Sequence, residues 1–422
     1  MLVISVLVLF YFLFPIAIIA LSRRYKALNK IGAVGLAYLA GMTLGSIGIF
    51  PRISENFRLI LKNKAALPIE EVNELLAQGQ IAASDMMANT IASVQDKLQT
   101  LVILLAIPLL LFSLDLKKWL NLVGEALFSL VLALVSLLTS IFIGYYLFRD
   151  SIDESWKISG MLVGLYTGGT PNLAAIGTAL NVSANNFILT HTYDMVIGVL
   201  LLLFLISYAQ KVLEWFLPTF TAKHSGKVPI ITSEQNEDLE NFIDMLSKYG
   251  ILGILKGFGL ASLIVAISGA LSLLVPEKNQ TVTVILSITT FGLLVSNWKV
   301  VNKIANTFPL GMYFIIVFSL IMASRGDLTR IFHIEFIHLF SFVALVVVGS
   351  IVIHVFLSFL FRVDADTTII TITALTYSPP FVPVVASALK NKNIIISGLT
   401  VGILGYAIGN YLGLAIAYFL EP

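Results

Sequence analysis

The chain has 422 residues, 58% of them hydrophobic and 12% charged, with a formal net charge of +2 and a mean hydropathy of +0.95. Soluble domains carry about 25% charged residues, so this composition excludes a soluble globular protein and implies a polytopic membrane protein with little mass outside the bilayer. No basic cluster interleaves with aromatics, which argues against nucleic acid as a partner. The absence of cysteine excludes disulfides, zinc–thiolate sites and iron–sulfur clusters.

Leu2–Ala20 is the first apolar run. Arg23, Arg24 and Lys26 follow it rather than precede it, the reverse of a secretory signal. It reads as a span with its N-terminus outside and a cytoplasmic loop over Ser22–Lys30. Ile31–Phe50 is a second span, ended by Pro51. The polar stretch Arg52–Lys97 contains two amphipathic patterns, Ile69–Leu76 and Ile81–Leu98, expected as surface or interfacial helices. Leu101–Leu114 is the third span, closed by Asp115-Leu116-Lys117-Lys118, and Leu120–Leu147 the fourth. Ile158–Leu180 and Phe187–Leu213 are the fifth and sixth. Residues 217–248, with an acidic core from Thr232, form a hydrophilic linker between an N-terminal repeat (1–216) and a C-terminal repeat (249–422). The second half repeats the outline: Ile251–Val275, Val282–Ser296, Phe308–Ala323 (followed by Arg325-Gly326-Asp327-Leu328), Phe336–Phe361, an interrupted segment over Ile369–Leu389, and Ile394–Leu420.

Two of these spans are interrupted. Tyr166-Thr167-Gly168-Gly169-Thr170-Pro171-Asn172 sits in the middle of the fifth span. Pro171 removes a backbone donor and the two glycines admit non-helical dihedrals. The expectation is a helix that stops, unwinds and restarts inside the bilayer, which is tolerated only where the backbone is buried in protein or faces a wet cavity. Thr376-Tyr377-Ser378-Pro379-Pro380 interrupts the eleventh. A shift of 209 positions lays Pro171 on Pro380, Thr178 on Ser387 and Ala179-Leu180 on Ala388-Leu389. Paired interruptions in corresponding halves point to the binding site of a secondary transporter; the plain alternative is two Pro-kinked helices. The count of roughly twelve spans sets the interrupted segments six apart, which means either parallel repeats or one miscounted span, Val282–Ser296 or Ile251–Val275.

Within this frame Asp194 is the first candidate for chemistry. It lies in Thr190-His191-Thr192-Tyr193-Asp194-Met195, about two turns into an apolar helix, and an intramembrane carboxylate marks an ion or proton path. It could bind a hard cation such as sodium with help from hydroxyls and freed carbonyls, carry a proton, or pair with His191 one turn back. Asn172, Thr167, Thr170, Thr376 and Ser378 offer polar groups at the depth of the breaks, either to a ligand or to the orphaned backbone. The restarting half-helix turns its N-terminus toward the break, which favours anions. Gly398, Gly402, Gly405, Gly409 and Gly413 give the last span a small-residue packing face, with Asn410 its polar outlier. His354 reads as a satisfied core histidine. Enzyme readings find no support: no P-loop, Gly-x-Ser-x-Gly or dinucleotide fingerprint is present, and Tyr193-Asp194 lacks the Gly-x-Gly-Asp partner of an intramembrane aspartyl protease.

Thr167-Gly-Gly-Thr-Pro-Asn172, Asp194, Ser378-Pro-Pro380 and Gly402-Ile-Leu-Gly-Tyr-Ala-Ile-Gly409 together resemble the YjcL-like family of bacterial and plastid membrane proteins, over essentially the whole chain. That family is similar to the cation:proton antiporter and anion transporter superfamily. The resemblance implies an all-α polytopic fold of two inverted repeats, each with a broken helix crossing at mid-membrane, as in sodium/proton antiporters and bile-acid symporters. It implies Asn172 at the crossing, Asp194 at the ion site, a homodimer in the bacterial inner membrane, and a sodium ion or proton as coupling ion. The sequence departs from many antiporters in showing one carboxylate rather than an acidic pair, and no Lys or Arg in its last span. The expectation is a non-enzymatic secondary transporter, coupled to sodium or protons, that moves a small solute, anions included, by alternating access. A non-transporting scaffold or receptor on the same fold, a cation:proton antiporter and a channel are the rivals.

Overall fold

Uninterrupted apolar runs of about 18 residues or more have no way to satisfy their backbone in a bilayer except as helices, and helices are what they form. The computed structural model describes residues 2–25, 28, 32–51, 54–61, 66–113, 124–220, 248–325, 337–377 and 381–422, and among these residues the regular structure is helical. The helices are α1 Leu2–Arg24, α2 Gly32–Ser46, α3 Glu55–Leu61, α4 Ile69–Ala77, α5 Ala83–Phe112, α6 Gly124–Phe148, α7 Ser155–Ala179, α8 Ala184–Ser207, α9 Ala209–Leu213, α10 Lys248–Ser272, α11 Glu277–Ser296, α12 Lys299–Asn302, α13 Thr307–Ser324, α14 Ile337–Phe361, α15 Ala365–Tyr377, α16 Val382–Ala388 and α17 Ile395–Leu420. Nine helices among the described residues are long and apolar enough to cross a membrane, so the protein is an integral, multi-pass membrane protein. Asp115–Lys118, the acidic core of the linker, Gly326–Leu328 and Ser378-Pro379-Pro380 lie outside the described residues.

One expectation from the sequence is corrected here. The amphipathic stretch Ile81–Leu98 and the third span do not form separate helices; they fuse into the 30-residue α5. No Gly or Pro separates them, so nothing stops the helix between Gln99 and Leu101. At 1.5 Å per residue α5 is about 45 Å long, well beyond the roughly 30 Å hydrocarbon core, and its polar N-terminal half accounts for the excess.

The chain divides into two compact units that do not follow the two halves of the sequence. The first comprises residues 1–104, 181–189 and 312–336; the second 105–180, 190–311 and 337–422. In the first unit the Tyr11 hydroxyl, Ser324 Oγ and Gln95 form a buried hydrogen-bonded cluster, with Tyr11 to Ser324 at 2.7 Å and Gln95 Nε2 donating to Tyr11 at 2.7 Å. Beside it Arg325 donates to Gln99 at 3.1 Å and reaches Asp96 at 3.3 Å. Phe57, Leu61, Leu67, Val72 and Ile81 make a small separate core beneath α3 and α4. It is closed by Asp85, which accepts the backbone N–H of Ser54 and of Ala82 and the Ser54 hydroxyl.

The second unit holds the interrupted helices. In it α6 and α14 pack antiparallel: Phe128 meets Phe361, Ser129 meets His354, Ser140 meets Gly349, Gly144 meets Phe342, and Phe148 meets His338. Five long helices, α7, α8, α10, α11 and α13, lie between them in sequence. Had each crossed a bilayer once, α6 and α14 would run parallel. The antiparallel contact does not agree with one crossing for each of these five helices.

Candidate functional site

In α7 the hydrogen-bonded helix continues from Ser155 to Ala179, but two residues inside it leave helical dihedrals: Tyr166 at φ −90°, ψ 20° and Gly169 at φ 69°, ψ −161°. The Gly169 conformation belongs to a region open essentially to glycine alone, which is why the sequence needs a glycine there and tolerates Pro171 two residues later. Thr167 turns its hydroxyl back onto its own helix, donating to the carbonyls of Val163 at 2.8 Å and Gly164 at 3.1 Å. Asn172 is buried, and its Nδ2 donates to the Tyr406 carbonyl of α17 at 3.4 Å.

The glycine face of α17 accommodates this irregular backbone. A Cβ on Gly405 would overlap the Thr167 carbonyl; one on Gly409 would overlap both the Asn172 amide and the Thr167 hydroxyl; one on Gly413 would overlap the Ile176 side chain. Gly168 has no room for a Cβ either, because the Asn172 amide folds over it. The face expected to be a packing surface thus packs against the residues expected to be a site. Asn410 points elsewhere: its Nδ2 donates to Thr289 Oγ1 on α11 at 3.2 Å, and its buried Oδ1 has no hydrogen-bond partner.

Asp194, on α8, is half-buried, and its Oδ1 accepts a 2.6 Å hydrogen bond from the Tyr166 hydroxyl. That distance is in the range of a hydroxyl donating to a charged carboxylate. The residue at the first non-helical position of α7 therefore holds the carboxylate of the next helix. His191 is buried one turn before Asp194. From the other interrupted segment, the Tyr377 hydroxyl at the end of α15 donates to the Gly198 carbonyl of α8 at 2.7 Å, one turn beyond Asp194. Thr376 is half-buried; Thr170 is partly exposed and Pro171 buried. Ser378, Pro379 and Pro380 fall between α15 and α16, outside the described residues.

The structure thus gathers Tyr166, Thr167, Gly168, Gly169, Asn172 and the glycines of α17 around the irregular turn, and links that turn to Asp194. Tyr166 was missed as a functional candidate because a tyrosine in an apolar run signals nothing by itself; its place at the edge of the break was the available hint. A buried carboxylate elsewhere in this unit was also missed. Asp366, in the first turn of α15, is 4% exposed and takes one amide on each oxygen: Gln210 Nε2 on Oδ1 at 2.9 Å and Asn391 Nδ2 on Oδ2 at 2.7 Å. It ties α9, α15 and the turn after α16 together. Its neighbour Asp364 accepts the Thr367 backbone N–H at 2.8 Å as an N-cap, and the pair reads from sequence as helix-start polarity only.

Residues 75–422 match a family described as "Protein of unknown function (DUF819)". The chain belongs to that family. It is also 24% identical over 328 residues to the "Uncharacterized membrane protein YjcL" of Bacillus subtilis (strain 168), covering 76% of this chain and 82% of that protein. The match leaves out α1 to α3 and most of α4, and includes every residue of the second unit.

Proposed function

We propose that this DUF819 protein is a secondary active transporter in which Asp194 carries the coupling sodium ion or proton. The observation that carries the reading is the Tyr166–Asp194 hydrogen bond: a carboxylate in a long apolar helix, held by the residue at which the preceding helix leaves regular geometry. Intramembrane carboxylates are costly and cluster on ion and proton paths. Irregular backbone at membrane depth belongs to transporter binding sites. Oxygens suited to a hard cation are present in the carboxylate and the Tyr166 hydroxyl.

The architecture we infer has two repeats, each with a broken helix, α7 in one and α15–α16 in the other, crossing at mid-membrane. The antiparallel packing of α6 on α14, the helices that precede the two interrupted segments, favours inverted over parallel repeats. The solute is small, anions included, and moves by alternating access. A homodimer in the bacterial inner membrane completes the proposal, checked by mass measurement in mild detergent.

The test is a thermal-shift and uptake screen of the purified protein against small solutes, with and without sodium and across pH, repeated on Asp194→Asn. The variant keeps the shape and loses the charge. It is expected to insert and fold, yet to lose sodium- and pH-dependent stabilisation and uptake. Unchanged sodium and pH dependence in Asp194→Asn would retire the proposal. A protein that binds a solute without any cation dependence and without uptake is a receptor instead.

A further inference from the structure

Contacts along α17 trace the path of α7. Gly160 lies against Ala417 and Gly413, Gly164 against Gly413, and the Thr167 carbonyl against Gly405, so the chain descends α17 up to the irregular turn. Beyond Gly169 it climbs again: Asn172 meets Gly409 and donates to the Tyr406 carbonyl, and Ile176 meets Gly413. A Cβ on Gly413 would touch the Gly160 carbonyl and the Ile176 side chain at once, and one on Gly164 would lie 3.2 Å from the Asn172 carbonyl oxygen. In a straight helix Gly164 and Asn172 are about 12 Å apart along the axis, and Gly160 and Ile176 about 24 Å. α7 therefore doubles back at Gly169, and its arms, residues 155–168 and 170–179, lie side by side on the glycine face of α17.

The segment α15–α16 doubles back from the other end of the second unit. Asp366 opens α15 and Asn391 follows α16, yet their side chains are joined at 2.7 Å. A Cβ on Gly398 of α17 would touch Ile370 of one arm and Val382 of the other. Trp156 at the start of α7 packs on Tyr418, and Tyr145 at the end of α6 donates to the Leu420 carbonyl, so α7 starts where α17 ends. Asp366 lies where α14 ends and α17 begins, bonded to Gln210 beyond the end of α8. A turn-back in α7 leaves α8, α10, α11 and α13 as the crossings between α6 and α14, an even number, as their antiparallel contact requires. The two turns meet midway. Gly405 has the Thr167 carbonyl and the Leu375 side chain against it, one from each segment. On α8, Tyr166 donates to Asp194 at 2.6 Å and Tyr377 to the Gly198 carbonyl at 2.7 Å, each tyrosine standing at the end of its first arm.

We infer that α7 and α15–α16 are re-entrant hairpins entering the membrane from opposite faces, and that Tyr377 is a second positioning residue, the counterpart of Tyr166, so that the two hydroxyls clasp α8 over one site and act as its two gates. α17 holds both hairpins on its glycines, so what each bond fixes is α8 against a hairpin tip. α8 starts at the face that α7 enters, which sets Asp194 toward that face and Gly198 toward the other. Loss of the Tyr166 bond therefore opens the site to the first face, and loss of the Tyr377 bond opens it to the second. The gates rest on the transport reading above; the hairpins do not, and they replace a break that runs on across the bilayer with one that turns back.

The chain has no cysteine, so single cysteines can be read in the full-length protein without a further background change. Asp150→Cys and Asn181→Cys flank α7, and Arg362→Cys and Asn393→Cys flank α15–α16; all four positions are exposed. A membrane-impermeant maleimide is applied to intact cells and to inverted vesicles. The first pair is expected to label from one face and the second pair from the other. Asp150→Cys and Asn181→Cys on opposite faces, or all four on one face, overturns the hairpins. Thr170→Cys then reports on the site. Tyr166→Phe is expected to speed its labelling from the face of Asp150, and Tyr377→Phe from the face of Arg362, by about three- to tenfold each, the population change that one hydrogen bond carries. A tyrosine that only supports the fold speeds labelling from both faces alike; that result, or unchanged rates in both variants, overturns the gates. Hairpins that label as expected beside unchanged sodium dependence in Asp194→Asn retire the coupling role of Asp194 alone. An α7 that crosses, beside lost sodium dependence, retires the hairpins and leaves the coupling reading standing.

Discussion

Tyr166 and Asp194 can be tested as a pair without knowing the solute. Tyr166→Phe removes a donor from a carboxylate 2.6 Å away and changes nothing else in shape. A hydrogen bond to a charged group contributes about 1.5–3 kcal/mol, and one between neutral groups about 0.5–1.5 kcal/mol. In the Asp194→Asn background the amide oxygen still accepts, so the same Tyr166→Phe change there removes only a neutral bond. The difference is about 1 kcal/mol, taking the lower half of the range because Asp194 is half-buried and water shares its oxygens. The assay is a double-mutant cycle, with equilibrium unfolding in mixed micelles followed by tryptophan fluorescence. The expected result is a Tyr166→Phe penalty larger in the native background than in the Asp194→Asn background. Equal penalties, within about 0.3 kcal/mol, would mean that the bond carries no charge-assisted energy. Asp194 would then not be a charged partner of the irregular turn.

Further consequences are measurable by the same unfolding assay. Gly409→Ala forces a Cβ into the Asn172 amide and the Thr167 hydroxyl and is expected to cost about 1–3 kcal/mol as overpacking; Gly269→Ala, in a helix with open space around it, is expected to cost nothing or to gain about 0.5–1 kcal/mol. Equal effects at the two glycines would refute the close fit of α17 to α7. Asp366→Ala takes the carboxylate from the half-buried Gln210 and Asn391 amides and is expected to cost about 1–3 kcal/mol in all, with Gln210→Ala and Asp366→Ala far from additive; additive losses would refute the three-way tie.

Much of the site was legible, because each feature breaks a local rule. Asp194 is an acid in an apolar helix, and Gly168-Gly169 with Pro171 violates helix propensity inside a span. The five glycines of the last span announced a close approach. What could not be read was the identity of the partners, since these are set by tertiary packing. Tyr166 and Asp194 are 28 residues apart and Gln210 and Asp366 are 156 apart, and no periodicity connects either pair. Asp366 was hidden by Asp364: two acids at a helix start look like capping, and only burial distinguishes the one that caps from the one that ties three segments together. The fusion of Ile81–Leu98 with the third span was hidden differently. The sequence changes polarity there without changing helix propensity, and a change of polarity alone does not end a helix.

The size of the cavity and the fit of α17 together constrain how a transport cycle would run. A space of about 30 Å³ beside Tyr166 admits water or a bare cation. Organic solutes bind in pockets of about 300–1,000 Å³, so a solute taken up at this place would need a wider space than the structure shows. The α7–α17 wall is a poor place to open, because backbone meets backbone: the Thr167 carbonyl lies where a Cβ of Gly405 would be, and the Gly160 carbonyl where one of Gly413 would be. Separating such surfaces exposes polar backbone that the bilayer cannot satisfy. The α6–α14 pair borders α7 and α15 around a cavity lined by Tyr166, Ser350, His354 and Thr376. In the proposed transport cycle, separation of α6–α14 from α7 and α15 is the motion that would widen this cavity and expose Tyr166, the residue that donates to Asp194.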